Sequence, residues 1–183
     1  MVFMHVKLQP ATTEDAESIA ALRNAVSDDL TFKHGRGPWT AHATTAGVLL
    51  DLRDALLLVA LHRGEVVASL KLSIKKPLAI DLVYFPEVAR PYYLTAMAVA
   101  PDLQRQGIGR ACLEQAAALA RRKKAGAIFL DAFDNPSAGA GPFYAKCGYR
   151  ETDRATYRGT PLVYYETLLG KSSAPGRKQS KRA

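Results

Sequence analysis

Tyr92 to Val99 is an almost wholly apolar run closed by Pro101, as expected of a strand covered on both faces. Behind it stands Gln104-Arg105-Gln106-Gly107-Ile108-Gly109, and from Ile108 the residues Cys112, Ala116, Leu119 and Ala120 share one helical stripe. Arg121, Arg122, Lys123 and Lys124 close that helix where cations suit its negative end, and Gly126 is the expected cap. Ala127 to Phe133 reads as a second buried strand. Strand, helix, strand is a βαβ unit, so the two strands are expected to run parallel. No other feature constrains the fold as much.

The turn inside that unit has a chemistry of its own. A helix start leaves backbone N–H groups unpaired, and the helix dipole adds partial positive charge there. The result is an anion pocket suited to a pyrophosphate. Gly107 and Gly109 carry no side chain to hold phosphates off the backbone, and Arg105 and Arg110 add charge at the rim. Two other phosphate loops are excluded. Gly109 is followed by Arg110, Ala111 and Cys112, which breaks GxGxxG, and there is no GxxxxGK followed by Ser or Thr. The plain alternative is a tight βα turn with no ligand.

Around this unit the chain alternates in type. Phe3 to Leu8 reads as a strand, Thr13 to Leu30 as a helix with acids near its start, and Thr44 to Arg53 as another. Ala55 to His62 and Val66 to Ile74 read as a hairpin around Arg63-Gly64-Glu65. Lys75 to Pro91 is irregular, broken by Pro77, Pro86 and Pro91. A short helix around Phe143 to Cys147 stops at Gly148, and Tyr149 to Tyr157 with Leu162 to Leu168 form a closing strand pair. The only tryptophan, Trp39, stands in a loop after Gly35-Arg36-Gly37-Pro38, either as a core anchor or as a substrate-facing ring.

With 183 residues, 48% of them apolar, a single packed domain over residues 1–170 is expected. Residues 171–183 carry five cations and no acid, leaving +3 of the formal +8 for the rest, and read as a disordered basic tail. A fold this mildly basic disfavours nucleic acid as the partner. No apolar run reaches the length of a membrane span, and the start lacks a secretory pattern, so a cytoplasmic protein is expected. Cys112 and Cys147 are read as reduced thiols, and the four histidines show no metal-ligand spacing, so no metal is expected. Assembly as a homodimer is left open.

Met97-Ala98-Val99-Ala100-Pro101-Asp102-Leu103 followed by Gln104-Arg105-Gln106-Gly107-Ile108-Gly109 resembles the central (Q/R)xxGx(G/A) motif of the GNAT superfamily of N-acetyltransferases. Asn135-Pro136 and Phe143-Tyr144-Ala145-Lys146-Cys147-Gly148-Tyr149 resemble its Asn … Tyr-Glu-Lys-x-Gly-Phe signature. The element order β-α-α-β-β-β-α-β-α-β-β agrees. The fold class implied is α/β, of the α+β kind, with a mixed central sheet, splayed parallel fourth and fifth strands, and helices on both faces.

By the same resemblance, acetyl-CoA is the cosubstrate. Main-chain groups of Met97, Ala98 and Val99 would hold pantetheine and the acetyl carbonyl. Amides of Arg105, Gln106, Gly107, Ile108, Gly109 and Arg110 would hold the pyrophosphate, with Asn135 a further contact. Tyr144 would face the sulfur and protonate the departing thiolate. One departure is two extra residues between Asn135 and Tyr144, where Pro142 suits a first helical position. The acceptor is a primary amine: a small molecule, a peptide N-terminus or a lysine. Asp81, Glu87 and Glu166 are nearby acids, but none is singled out as the base. The competing readings are a non-catalytic CoA-binding sensor and transfer of a longer acyl group.

Overall fold

The computed structural model describes residues 6–170, so the basic tail and the first half of the first expected strand lie outside the described residues. Seven strands form one sheet in the order β1-β2-β3-β4-β5-β7-β6. They are β1 (Leu8–Pro10), β2 (Leu56–His62), β3 (Glu65–Ser73), β4 (Pro91–Val99), β5 (Ala127–Phe133), β6 (Arg150–Tyr157) and β7 (Thr160–Leu168). The helices are α1 (Ala16–His34), α2 (Thr45–Asp54), α3 (Ile108–Arg122) and α4 (Gly141–Lys146). Only β4 and β5 pair in parallel, and every other neighbouring pair is antiparallel. The mixed α/β sheet expected from the sequence is therefore present.

Alternation along the strands sorts the core into two faces. Leu58 and Ala60 of β2, Ile128 and Leu130 of β5, and Val163 of β7 pack with Ile108, Cys112, Leu113 and Ala116 of α3 and with Tyr144 of α4. Their neighbours point the other way. Leu57 and Val59 meet Ile19 of α1 and Val48 of α2. Phe129 and Tyr164 meet Ile80 and Phe85 from the irregular segment between β3 and β4. That segment holds only one short 3-10 turn, Leu82–Tyr84, and it covers sheet that no helix reaches.

Three expectations shift. The first strand begins at Leu8 rather than earlier, because Leu8 to Pro10 is the stretch that pairs with β2. The first helix is entered through a 3-10 turn at Thr13–Asp15 and runs on to His34, where Gly35 at φ 76 ends it. Gly126 does not cap α3. The chain leaves the helix at Lys123, and Lys124 takes the left-handed conformation at φ 59. Gly126 instead lies against the backbone of Ala89, where a Cβ would overlap the Ala89 carbonyl oxygen. Its missing side chain lets the strand entering β5 pass the strand entering β4.

Candidate active site

The parallel pair joins only at its lower end. Pro91, Tyr92 and Tyr93 pair with Ala127, Ile128 and Phe129, and beyond that rung both strands continue without each other. β4 is also bulged: Lys71 pairs with Thr95 but Ser69 with Ala98, so one extra β4 residue stands against β3. Ala96 in that bulge has φ 51, a left-handed conformation rare for alanine. Backbone groups of Ala96 to Val99 on the β5 side therefore look into a gap between two strands.

The turn 104–110 follows the end of β4 and leads into α3. Gln104 Nε2 donates to the Val99 carbonyl at 3.1 Å, and Gln106 Nε2 donates to the Asp102 carbonyl at 3.2 Å. Both side chains tie the turn to the strand end and leave its amides alone. Arg105 at φ 62 and Gly107 at φ 86 turn the backbone through left-handed conformations. The first bond of the helix runs from the Ala111 N–H to the Gly107 carbonyl at 3.0 Å. Among the described residues, no amide from Gln104 to Arg110 donates to a protein acceptor. The helix dipole of α3 adds to this row of donors, so the turn fits an anion such as a pyrophosphate.

Three of the expected contact residues have other partners. Arg110 Nη2 donates to the Lys146 carbonyl at 2.6 Å and clamps the start of α3 to the end of α4. Gly109 faces Phe143, whose Cζ would lie 2.9 Å from a Cβ, so this glycine admits the α4 ring as well as any ligand. Asn135 Oδ1 accepts from the Ser137 amide at 3.0 Å, the Ser137 hydroxyl at 2.9 Å and the Ala138 amide at 2.9 Å. Its side-chain oxygen thus shapes the loop that leads into α4 as an Asx turn.

Tyr144 is buried in a ring cluster with Phe143, Tyr149 and Tyr165, at centroid distances of 5.2, 5.9 and 6.1 Å. Gly141 opens its short helix, so Pro142 stands second rather than first as the sequence suggests, and Gly148 at φ 87 ends it. Burial first, and then the nearby Asp131 charge, push the Tyr144 phenol well above the ordinary tyrosine range. It stays protonated at neutral pH, as a proton donor must.

Asp131 escaped the sequence reading. It lies on β5 two residues past the last β4–β5 rung, paired in register with Tyr164 of β7. Burial raises its carboxyl pKa, against a smaller opposing effect of its own backbone amide. The signal available in the sequence was an acid interrupting the apolar strand Ala127–Phe133, where a buried parallel strand has no use for charge. The acids noted in the sequence are placed elsewhere. Asp81 accepts from the Val83 amide, Glu166 pairs with Arg150, and Glu87 is exposed. Trp39 packs edge-on against Phe133 at 5.7 Å and is half-buried, which joins its loop to the upper end of β5. A cavity of about 320 Å³ opens beside Phe133, Asn135, Pro142, Arg154 and Tyr165. It includes neither the turn nor Tyr144, and Arg154 there is paired with Asp134 and Glu151.

Sequence comparison at the family level matches residues 19–149 to the acetyltransferase (GNAT) family, a span that contains β4, the turn, α3, β5 and α4. The chain belongs to the GNAT acetyltransferase family. No curated protein matches it in a sequence search. Solved structures share the GNAT fold. A GCN5-related N-acetyltransferase from Rhodopseudomonas palustris is 24% identical, with a TM-score of 0.69 over 92% of this chain and 99% of that one. Salmonella typhimurium yncA, solved with its cofactor acetyl-CoA, is 17% identical, with a TM-score of 0.66 over 93% and 98%. The ribosomal-protein-S18-alanine N-acetyltransferase of Escherichia coli is 16% identical, with a TM-score of 0.65 over 95% and 100%. The matched span thus includes the parting parallel pair and the donor-rich turn.

Proposed function

We propose that this GNAT protein transfers an acetyl group from acetyl-CoA directly to a primary amine, within one complex of enzyme, acetyl-CoA and amine. The observation that carries the reading is the parallel pair that parts after Tyr93 and Phe129, with a row of free amides at its mouth. In this reading the amides of Arg105 to Arg110 hold the pyrophosphate. The β4 backbone at Met97 to Val99 holds the pantetheine and polarises the thioester carbonyl. A fixed N–H there stabilises the negative charge that builds on the carbonyl oxygen. Tyr144 gives its proton to the departing thiolate, whose ordinary pKa of roughly 8.5 makes it a poor leaving group unaided. The fit of CoA rests on the free amides and on the left-handed Gly107, where a side chain would be strained.

Calorimetric titration with acetyl-CoA tests the site, and thiol release in the presence of amines tests the reaction. Binding that Gly107→Val abolishes, together with amine-dependent CoA release, is expected. Acetyl-CoA binding with no thiol release from any primary amine would reduce the protein to a CoA-binding module. A cytoplasmic location also belongs to this reading. No helix among the described residues is long and apolar enough to cross a membrane.

A further inference from the structure

Arg23 has a hydrogen-bonding edge that the fold leaves unused. It stands on α1 between Ile19, Ala20 and Ser27, three or four residues from each, on the buried stripe that faces the sheet. Its Nη1 donates to Asp51 Oδ2 of α2 at 2.8 Å, and Lys71 Nζ of β3 donates to the other oxygen of that carboxylate at 2.6 Å. Its Nε and Nη2 are buried and have no protein partner among the described residues. Those two nitrogens form one edge of the guanidinium, a planar fork that matches a carboxylate. Arg53, Arg150 and Arg154 each turn the same edge onto a carboxylate, that of Asp54, Glu166 and Glu151. We propose, on the acetyltransferase reading, that the Arg23 fork binds a carboxylate carried by the acceptor amine, so that the acceptor is an amino acid rather than a simple amine.

The strands beneath α1 support this. Lys71 is the register partner of Thr95, and Ser69 that of Ala98, one on each side of the β4 bulge. On β2 their partners are Leu57 and Val59, which face α1 and α2, so Ser69, Lys71 and Thr95 share that face. The hydroxyls of Ser69 and Thr95 are also buried without a protein partner. Seven buried side-chain atoms lack one among the described residues, and four of them belong to Arg23, Ser69 and Thr95. Each such donor is costly alone, so their concentration under one helix points to a polar group that they share.

The same patch adjoins the candidate active site. Thr95 stands two residues beyond Tyr93, where β4 and β5 part, and one residue before the left-handed Ala96. Ala96 is exposed and Thr95 half-buried, so the way into the patch is from the gap. A carboxylate entering there meets the Thr95 hydroxyl and the Arg23 fork, and its amine stays beside the β4 backbone that holds the thioester.

Charge sets the direction. Arg23 and Lys71 are two cations on one carboxylate, which leaves a positive charge over β3 and β4. Asp131 lies across the gap, two residues past Phe129. A carboxylate is therefore drawn toward Arg23 and repelled from β5. An amine without a carboxylate makes none of these bonds and leaves the buried donors unpaired.

The test uses the full chain, acetyl-CoA, and two matched sets: phenylalanine, methionine and leucine against phenethylamine, 3-(methylthio)propylamine and isoamylamine. Phenylalaninamide keeps the bulk of the carboxyl group without its charge. Wild type should favour at least one amino acid over its decarboxylated amine by about 10²-fold or more in kcat/KM, and the amide should fall with the amine. Arg23→Gln should collapse that ratio through KM for the amino acid. Arg23→Lys keeps a cation beside Asp51 but has no fork, and should lose most of the ratio too. Thr95→Val keeps the shape, removes one hydroxyl and should lower the ratio less. Calorimetric titration with acetyl-CoA reports that each variant is folded. If wild type prefers the decarboxylated amines or the amide, the acceptor class is overturned while the acetyltransferase reading stands. If Arg23→Gln and Arg23→Lys lower both sets equally and keep the ratio, Arg23 is only a clamp between α1 and α2. If acetyl-CoA binds but no compound of either set releases thiol, or if it does not bind, the reading beneath the proposal has failed.

Discussion

Tyr144 shares burial and a raised phenol pKa with Tyr149. It is packed among Phe143, Tyr149 and Tyr165, and its phenol is pushed upward by burial and by the Asp131 charge. Packing fixes where the hydroxyl points, and the raised pKa keeps its proton available. Tyr144→Phe keeps the ring, so melting temperature should change little. Turnover should fall by about 10² to 10⁴ if proton donation limits the rate. Acetyl-CoA affinity by calorimetry should stay near wild type, and the defect should shrink with a thioester of a more acidic thiol. Wild-type turnover in that variant, with chemistry shown to be rate-limiting, would return Tyr144 to a packing role. Cys112 is the contrasting case: burial alone lifts its thiol to about 11 and leaves an inert core side chain.

At the scale of elements, three glycines hold the βαβ unit together in different ways. Gly107 supplies the left-handed turn at the start of α3, Gly109 admits the Phe143 ring, and Gly126 admits the Ala89 backbone. Substitutions should therefore separate. Gly107→Val should weaken acetyl-CoA binding at least 10-fold in a calorimetric titration, because it strains the turn and fills the anion site. Gly126→Ala should cost about 1–3 kcal/mol in denaturant unfolding, since the overlapping atom is backbone and cannot swing aside. Per acetyl-CoA bound, the folded Gly126→Ala fraction should behave like wild type, since Gly126 lies at the paired lower end of β4–β5 rather than at the turn. Equal loss of affinity in both variants would show that the turn and the strand entry are not separable elements.

Over the whole molecule, the core carries a load of buried phenols. Burial raises the pKa of Tyr93, Tyr144, Tyr149, Tyr164 and Tyr165. A raised folded-state pKa means that the unfolded phenol ionises first as pH climbs. The associated stability is complete below the ordinary tyrosine pKa of about 10 and is lost above it. The melting temperature should therefore drop steeply above about pH 10, and phenolate absorbance should appear together with loss of secondary structure. Titration of all phenols with the fold intact would contradict the burial. The last strand ends at Leu168, and Leu169 is buried against the core, so the described fold closes before the basic tail. A chain ending at Gly170 should keep its melting temperature and its turnover on a small amine.

Local rules determined much of this protein from its sequence. Period-2 and period-3.6 patterns, a turn that exposes amides, Pro142 in the first turn of a helix and Gly148 at its stop are consequences of neighbouring residues. They placed most helices and strands to within a few residues, though the first strand lies at Leu8–Pro10 rather than at Phe3 to Leu8. What the sequence could not decide was which groups meet across the sheet. Gly126 reads as a cap until Ala89 is seen against it, and Gly109 reads as ligand space until Phe143 is seen there. That the Asn135 Oδ1 accepts from its own loop is seen only in the fold. Asp131 is one acid in an apolar strand until the missing β4–β5 rungs open a gap beside it. These facts depend on contacts between residues far apart in the chain, and burial and charge are set by those contacts rather than by sequence neighbours.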